Sequence, residues 1–177
     1  MSNGYNKLSH DLVHSGGIVD FYCDTMELPN GNTVKWDYIY HKGASAVIPI
    51  DNDGKIIMVR QYRIGTGTDL LEIPAGGINP GEDPYTSAVR EMEEETGYIA
   101  KEVHHLIDVH SAPAYTSECV YVYYAKGLTA SKQNLDEDEV IGIERYELSE
   151  LIDMIMDGKI TDGKTIAGLF ALNKVLN

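Results

Sequence analysis

The sequence predicts an α/β protein with a small antiparallel sheet at its N-terminus. Runs rich in Val, Ile, Tyr and Thr precede and follow segments with helical periodicity. With 177 residues, 43% of them hydrophobic, the chain is long enough for one substantial core and a small appendage. Because the pattern changes at Gly43, we predict an N-terminal β-sheet segment at residues 1–43 and a main domain at 44–177.

The N-terminal segment is predicted to be a hairpin. Two β-rich runs, GIVDFYCDTMEL and TVKWDYIYHK, flank the turn residues at 29–32. Residues 1–11 are polar, so we expect a frayed terminus. Exposed strand edges and apolar residues between positions 17 and 42 indicate a surface for a partner. A homodimer is the expected assembly, and a monomer with a folded-back sheet is the alternative.

The main domain is predicted to begin with compact strands and to continue with a helix. Asp83 is the expected N-cap of that helix, Pro84 its first residue and Gly97 its end. The remaining elements are two strands, an acidic loop, a further strand and two helices near 149–157 and 162–176. In chain order, the strand and loop segments are ASAVIPI, KIIMVRQYR, DLLEIPAGG, EVHHLIDVH, ECVYVYYAKG, NLDEDE and VIGIERYEL.

The charge balance excludes several function classes. Against 28 acidic residues the chain has 14 Lys and Arg, a net charge of -14, and it contains no basic run. Such a field repels polyanions, so nucleic acid is not an expected partner. The most apolar stretches are too short to span a bilayer, and the N-terminus lacks the apolar region of a signal peptide. We therefore expect no membrane association and a cytoplasmic location.

The predicted helix after Asp83 carries a crowded acidic face. At about 100° per residue, Glu91, Glu94 and Glu95 fall within a sector of about 100°, whereas Glu93 points elsewhere. Like charges at this spacing destabilise a helix unless something neutralises them. Since a glycine-rich turn precedes the helix, clustered carboxylate oxygens beside it indicate a site for a hard cation such as Mg²⁺. A solvated acidic surface is the alternative.

The spacing of the residues around this helix resembles the signature of Nudix hydrolases. The matching residues are Gly76, Glu82, Arg90, Glu91, Met92, Glu94, Glu95, Gly97 and Tyr98, the last standing where the pattern favours an aliphatic residue. The resemblance implies a Nudix-type α/β/α sandwich, with a mixed sheet between helices. It also implies hydrolysis of a nucleoside diphosphate linked to another moiety, with Mg²⁺ or Mn²⁺.

The same resemblance assigns roles to individual residues. Glu91, Glu94 and Glu95 would hold the metal together with the carbonyl of Ala75, and Arg90 would orient the acidic side chains. Glu82 lies before the helix, where it either assists through water or stabilises the turn.

Several stretches outside the signature are similar to the ADP-ribose pyrophosphatase branch, over most of residues 33–175. Pro113, which lies 15 positions after Tyr98, is near that branch's marker proline, although Ala114 follows it where glycine is expected. By this similarity Arg63 contacts the substrate phosphate, Glu72 lines the pocket, and Trp36 stacks on adenine across a homodimer.

The expected products are AMP and ribose 5-phosphate, and the family implies a general base on a mobile loop. Glu139 in the acidic loop is the first candidate for this base, followed by Glu137 and by Glu118. GDP-mannose, NADH and diadenosine polyphosphates are alternative substrates. A sensor that binds ADP-ribose without catalysis is an alternative from another functional class, and an acidic metal buffer is a third.

Overall fold

The computed structural model describes residues 3–137 and 139–176, which form two compact units. One unit comprises Met1–Gly43 together with His110–Cys119, and the other comprises Ala44–Val109 and Val120–Asn177. The division between the two units falls after Gly43. The segment His110–Cys119, which the sequence places in the main domain, is grouped with the N-terminal unit.

The N-terminal unit is an antiparallel sheet of three strands, β1 (Asn6–Ser15), β2 (Asp20–Glu27) and β3 (Thr33–Tyr40), in the order β1-β2-β3. The expectation of a frayed terminus was wrong for the residues that form β1. Polar contacts across the sheet stabilise this strand: the buried carboxylate of Asp24 lies 2.5 Å from both Lys7 Nζ and His10 Nδ1. Because these contacts are polar, a pattern of alternating apolar residues does not reveal β1.

The second unit contains two sheets, which together explain the mixed character of the fold. In the first sheet, ordered β7-β4-β9-β8, strand β4 pairs in parallel with β9 and antiparallel with β7. The second sheet is antiparallel and ordered β10-β5-β6. The strands are β4 (Ala44–Pro49), β5 (Ile56–Arg63), β6 (Thr68–Glu72), β7 (Ala75–Gly77), β8 (Tyr98–His110), β9 (Cys119–Ala130) and β10 (Ile141–Tyr146).

Three helices cover the two faces of this framework: α1 (Pro84–Thr96), α2 (Leu148–Met156) and α3 (Gly163–Leu176). Successive side chains of β4 point to opposite faces. Ile48 packs in one buried cluster with residues of α2 and α3, and Val47 packs in another with Met92 of α1. The predicted α/β architecture, with the sheet between helices, is confirmed.

Among the described residues, no helix combines the length and the apolar character that a membrane crossing requires.

Candidate active site

Helix α1 has the predicted ends and presents its acidic residues toward the protein. Asp83 Oδ1 accepts hydrogen bonds from the backbone amides of Tyr85 (3.0 Å) and Thr86 (3.1 Å). Gly97 ends the helix with φ of 71°, in the left-handed region that glycine adopts without strain. Glu91 and Glu95 are only 9% and 1% exposed, so the alternative of a solvated acidic surface does not describe these two residues.

The absence of a side chain at Gly76 leaves room for the buried carboxyl group of Glu91. A Cβ atom at position 76 would overlap all three atoms of the Glu91 carboxyl group. A neighbouring glycine, Gly77, has no atom within 4 Å of the place its Cβ would occupy. Position 76 therefore requires glycine because the backbone itself packs against the Glu91 carboxylate.

Replacing Gly76 with alanine should displace the Glu91 carboxylate and weaken binding of divalent metal about tenfold, in line with the cost of overpacking a tight site. The measurement is a Mg²⁺ titration of activity, accompanied by circular dichroism to show that the fold is intact. Gly77→Ala is the matched control and should stay within about twofold of the wild type. Equal effects of the two substitutions would contradict the assigned contact.

Arg90 is the centre of the ionic network on this helix. Its guanidinium pairs with both oxygens of Glu82, each at 2.9 Å, and donates to Glu91 (2.6 Å), Glu94 (2.8 Å) and the carbonyl of Gly77 (3.1 Å). The Arg90 hydrogen bonds lower the pKa of Glu82. Glu82 thus stabilises the turn and holds Arg90, which corresponds to the second of its two predicted roles.

Burial and neighbouring like charges shift the pKa values of the two buried carboxyl groups. Burial raises the pKa of Glu91, although the adjacent Arg90 opposes this shift. Burial, followed by the charge of Glu91, raises the pKa of Glu95 to about 8. Burying an ionised group without a counter-charge is unfavourable. A cation bound at this position would therefore stabilise the ionised form of these carboxyl groups.

The chemistry of this donor set fits a hard divalent ion. Glu91, Glu94 and Glu95 offer only oxygen atoms, and Glu95 Oε2 accepts a 3.0 Å hydrogen bond from the amide of Ala75, which brings that segment beside the helix. Among residues 3–137 and 139–176, no three His, Cys, Asp or Glu side chains are arranged so that they could hold a metal ion without moving. In this arrangement Arg90 engages Glu91 and Glu94. These residues could hold Mg²⁺ or Mn²⁺.

A second charged cluster lies on the neighbouring strands. Arg63 Nε and Nη2 donate to the two oxygens of Glu72 at 2.9 and 2.8 Å, and Glu72 is only 1% exposed. Lys164 Nζ also donates to Glu72 Oε2 at 2.5 Å. Burial alone would raise the pKa of Glu72, but Arg63 and Lys164 outweigh it and lower the pKa. The charge of Glu95 contributes to the raised pKa of Arg63, so this cluster lies within electrostatic reach of α1.

The acidic loop also approaches the carboxylates of α1. The negative charge of Glu139 is among the causes that raise the pKa of Glu91 and of Glu95. Glu139 is half-buried and its Oε2 accepts a 3.2 Å hydrogen bond from the amide of Asp136, whereas Glu137 is exposed. Of these two candidates for the general base, Glu139 is the one that contributes to the raised pKa of the α1 carboxyl groups, behind burial, and a catalytic role for either stays a prediction.

The chain that leads into this loop is attached to the end of α1. Gln133 Nε2 donates to the carbonyl of Glu95 at 2.6 Å, and the amide of Asn134 donates to the carbonyl of Glu94 at 2.9 Å. The last carbonyls of a helix have no partner within it, so these bonds satisfy two such groups. They also connect the loop to the residues that would bind the metal.

Two predicted site residues lie in the N-terminal unit. Trp36 on β3 is 46% exposed, and its ring centroid lies 6.1 Å from that of Tyr5. Glu118 Oε1 lies 3.7 Å from His41 Nδ1, also within that unit. Stacking of Trp36 on adenine and a catalytic role for Glu118 stay predictions.

Lys164 and Gln133 are contacts of the site that the sequence did not reveal. Lys164 lies 92 positions from Glu72, and Gln133 lies 38 positions from Glu95. The local sequence indicates one feature here, an N-cap at Asp162, which lies three residues before Thr165. That signal predicts the start of α3 but not the partner of Lys164.

Comparisons with known proteins agree with this geometry. The family model described as the NUDIX domain matches residues 39–169. The methanol dehydrogenase activator of Bacillus methanolicus is 43% identical over 88% of this chain and 85% of its own. An ADP-ribose pyrophosphatase of Bacillus subtilis is 36% identical over 89% and 86%. The crystal structure of an ADP compounds hydrolase superposes with a TM-score of 0.86 at 25% identity, covering 97% of this chain and 94% of the other. The arrangement around α1 and these matches together establish that the chain belongs to the Nudix family.

Proposed function

We propose that this protein hydrolyses the diphosphate of ADP-ribose to AMP and ribose 5-phosphate, with Mg²⁺ or Mn²⁺. The observation that carries the proposal is the pair of buried carboxyl groups, Glu91 and Glu95, on one face of α1. Arg90 pairs with Glu91, whereas burial raises the pKa of Glu95, so a bound cation would be needed to keep Glu95 ionised near neutral pH. The relatives named as ADP-ribose pyrophosphatases support the choice of substrate.

Arg63 is suited to the diphosphate. One edge of its guanidinium is held by Glu72, and the side chain is 37% exposed. An arginine has five N–H donors, so three remain for phosphate oxygens. Glu72 is proposed to act by holding Arg63 at the pocket wall. Trp36, in the N-terminal segment 1–43, is proposed to stack on the adenine of the substrate.

The chemistry is an attack of water on one phosphorus atom, with cleavage of the bond to the bridging oxygen. A bound divalent ion would neutralise the diphosphate and make a water more acidic. Glu139 accepts the proton of the attacking water, and Arg90 keeps the carboxylates of Glu91 and Glu94 oriented. Arg63 holds the diphosphate in place through its remaining N–H donors.

A substrate panel tests this proposal. The purified protein is incubated with ADP-ribose, GDP-mannose, NADH and diadenosine polyphosphates, each with Mg²⁺ and with EDTA, and the products are separated by chromatography. We expect AMP and ribose 5-phosphate from ADP-ribose only when metal is present. Faster cleavage of another substrate would replace ADP-ribose in the proposal, and metal-independent cleavage would contradict the assigned site.

A second candidate is regulation of a dehydrogenase, supported by the 43% identity to a protein named as a methanol dehydrogenase activator. Pure binding would not require every carboxylate of α1, so we propose that any such regulation accompanies hydrolysis. The test adds this protein, or its Glu95→Gln variant, to a methanol dehydrogenase. Equal stimulation by both would favour a regulatory role that is independent of the metal site.

We further infer a cytoplasmic homodimer. The chain has two cysteines, Cys23 and Cys119, which lie 96 positions apart, and so sparse a use of cysteine is common in proteins of reducing compartments. The N-terminal sheet exposes Leu8, Leu12 and Val13 on β1, an apolar surface on an edge strand that fits a partner. Light scattering that gives a monomer mass at micromolar concentration would contradict the dimer.

A further inference from the structure

The N-terminal turn of α3 lies against the end of β6, where the Ile73 amide donates to Thr165 Oγ1. We propose that Lys164, in this turn, is a positioning residue that orients the guanidinium of Arg63 through the carboxylate of Glu72, which both cations share. The inference rests on the proposed function, in which Arg63 contacts the diphosphate, and it adds a residue outside the Nudix signature to the machinery of the site.

The three side chains form a compact buried unit. Arg63 occupies both oxygens of Glu72, and Lys164 Nζ shares the Oε2 atom. The Lys164 side chain is 13% exposed and Glu72 is 1% exposed, so water screens these charges weakly. Lys164 also lies 3.0 Å from Asp162, which brings two cations and two anions together with no net charge.

The position of Lys164 is determined by the helix start. Asp162 Oδ2 accepts hydrogen bonds from the Thr165 amide (3.0 Å) and hydroxyl (2.6 Å), as an N-cap does. The same hydroxyl oxygen of Thr165 accepts a 3.0 Å bond from the amide of Ile73, the residue after Glu72. Because Thr165 is fully buried, the turn of α3 and the end of β6 are connected rigidly. Lys164 therefore approaches Glu72 from a fixed backbone.

This arrangement has a consequence for Arg63. Without Lys164, the buried carboxylate of Glu72 would keep one cation, and its orientation would depend on the pairing with Arg63 alone. The guanidinium would then lose the orientation that leaves its remaining donors available for phosphate. Preorganised donors bind substrate better than mobile ones, so the loss should appear in substrate affinity.

Steady-state kinetics with ADP-ribose and Mg²⁺ test the inference. Lys164→Met should raise KM on the order of tenfold while changing kcat less than about threefold, as expected for a contact that couples to one neighbour. Lys159→Met is the matched control and should leave both constants unchanged, because the Lys159 ammonium pairs with the exposed Asp157 at 2.9 Å. In an Arg63→Met background, Lys164→Met should cause no further change. Additive effects would overturn the proposal.

A second measurement does not depend on turnover. In a ¹H–¹⁵N spectrum, the Nε–H signal of Arg63, assigned with Arg63→Lys, should shift and broaden in Lys164→Met but not in Lys159→Met. Thermal unfolding identifies any variant that fails to fold, and Lys164→Arg, which keeps the charge, should recover part of the affinity. An unchanged Arg63 signal would overturn the inference whatever the substrate. Absence of ADP-ribose hydrolysis by the wild type, with the expected spectral change, would refute the proposed function alone.

Discussion

Replacing Glu95 with glutamine should lower metal-dependent hydrolysis of ADP-ribose on the order of 1,000-fold while leaving the fold intact. Glu95 is 1% exposed and lies between the amide of Ala75 and the carboxylate of Glu91, so its charge has a function only when a cation is bound. Glutamine retains the shape and the acceptor for Ala75 but loses that charge. The measurement is kcat at saturating Mg²⁺.

The same substitution should make the metal-free protein more stable at alkaline pH. The pKa of Glu95 rises from its usual 4.5 to about 8 in the folded state. A group with a raised folded-state pKa stabilises the fold below pH 4.5, and this contribution is lost as the pH rises toward 8. Glutamine does not titrate. In EDTA, the Tm of Glu95→Gln should therefore match that of the wild type near pH 5 and exceed it near pH 8.

The control for both measurements is Glu93→Gln. Glu93 lies on the same helix, but its carboxylate accepts a 2.5 Å hydrogen bond from Ser131 Oγ rather than facing the cluster. We expect kcat within about twofold of the wild type and no pH-dependent gain in Tm. Full activity of Glu95→Gln would show that the carboxylates of α1 are not the catalytic metal site.

Replacing Glu139 with glutamine should reduce kcat about 100-fold and change KM little, because a general base acts on the transition state rather than on substrate binding. The electrostatic link of Glu139 to Glu91 and Glu95 is the reason for choosing it. The measurement is steady-state kinetics with ADP-ribose at saturating Mg²⁺.

Glu137→Gln and Glu118→Gln are the companion variants for this prediction. Glu137 is exposed, and Glu118 lies near His41 in the N-terminal unit, so both should retain at least about a third of the activity. If either shows the large loss in kcat instead, the general base is that residue and the role of Glu139 is withdrawn.

The sequence by itself determined the features that depend on neighbours in the chain. The N-cap at Asp83, the left-handed end at Gly97 and the common face of Glu91 and Glu95 follow from local hydrogen bonding and helical geometry. The compact apolar runs of the main domain likewise predicted core strands. The spacing of the acidic residues predicted their shared face for the same reason, and metal binding by that face stays a prediction.

Only the tertiary structure decided which charged and polar groups far apart in the chain become partners. Lys164 pairs with Glu72, and Gln133 donates to the carbonyl of Glu95, although the two residues of each pair lie far apart in the chain. The polar strand β1 likewise forms by pairing with residues of β2 that lie further along the chain. Local propensity and periodicity carry no information about such partners. A buried carboxylate must find its cations wherever packing places them, and that is a property of the folded state.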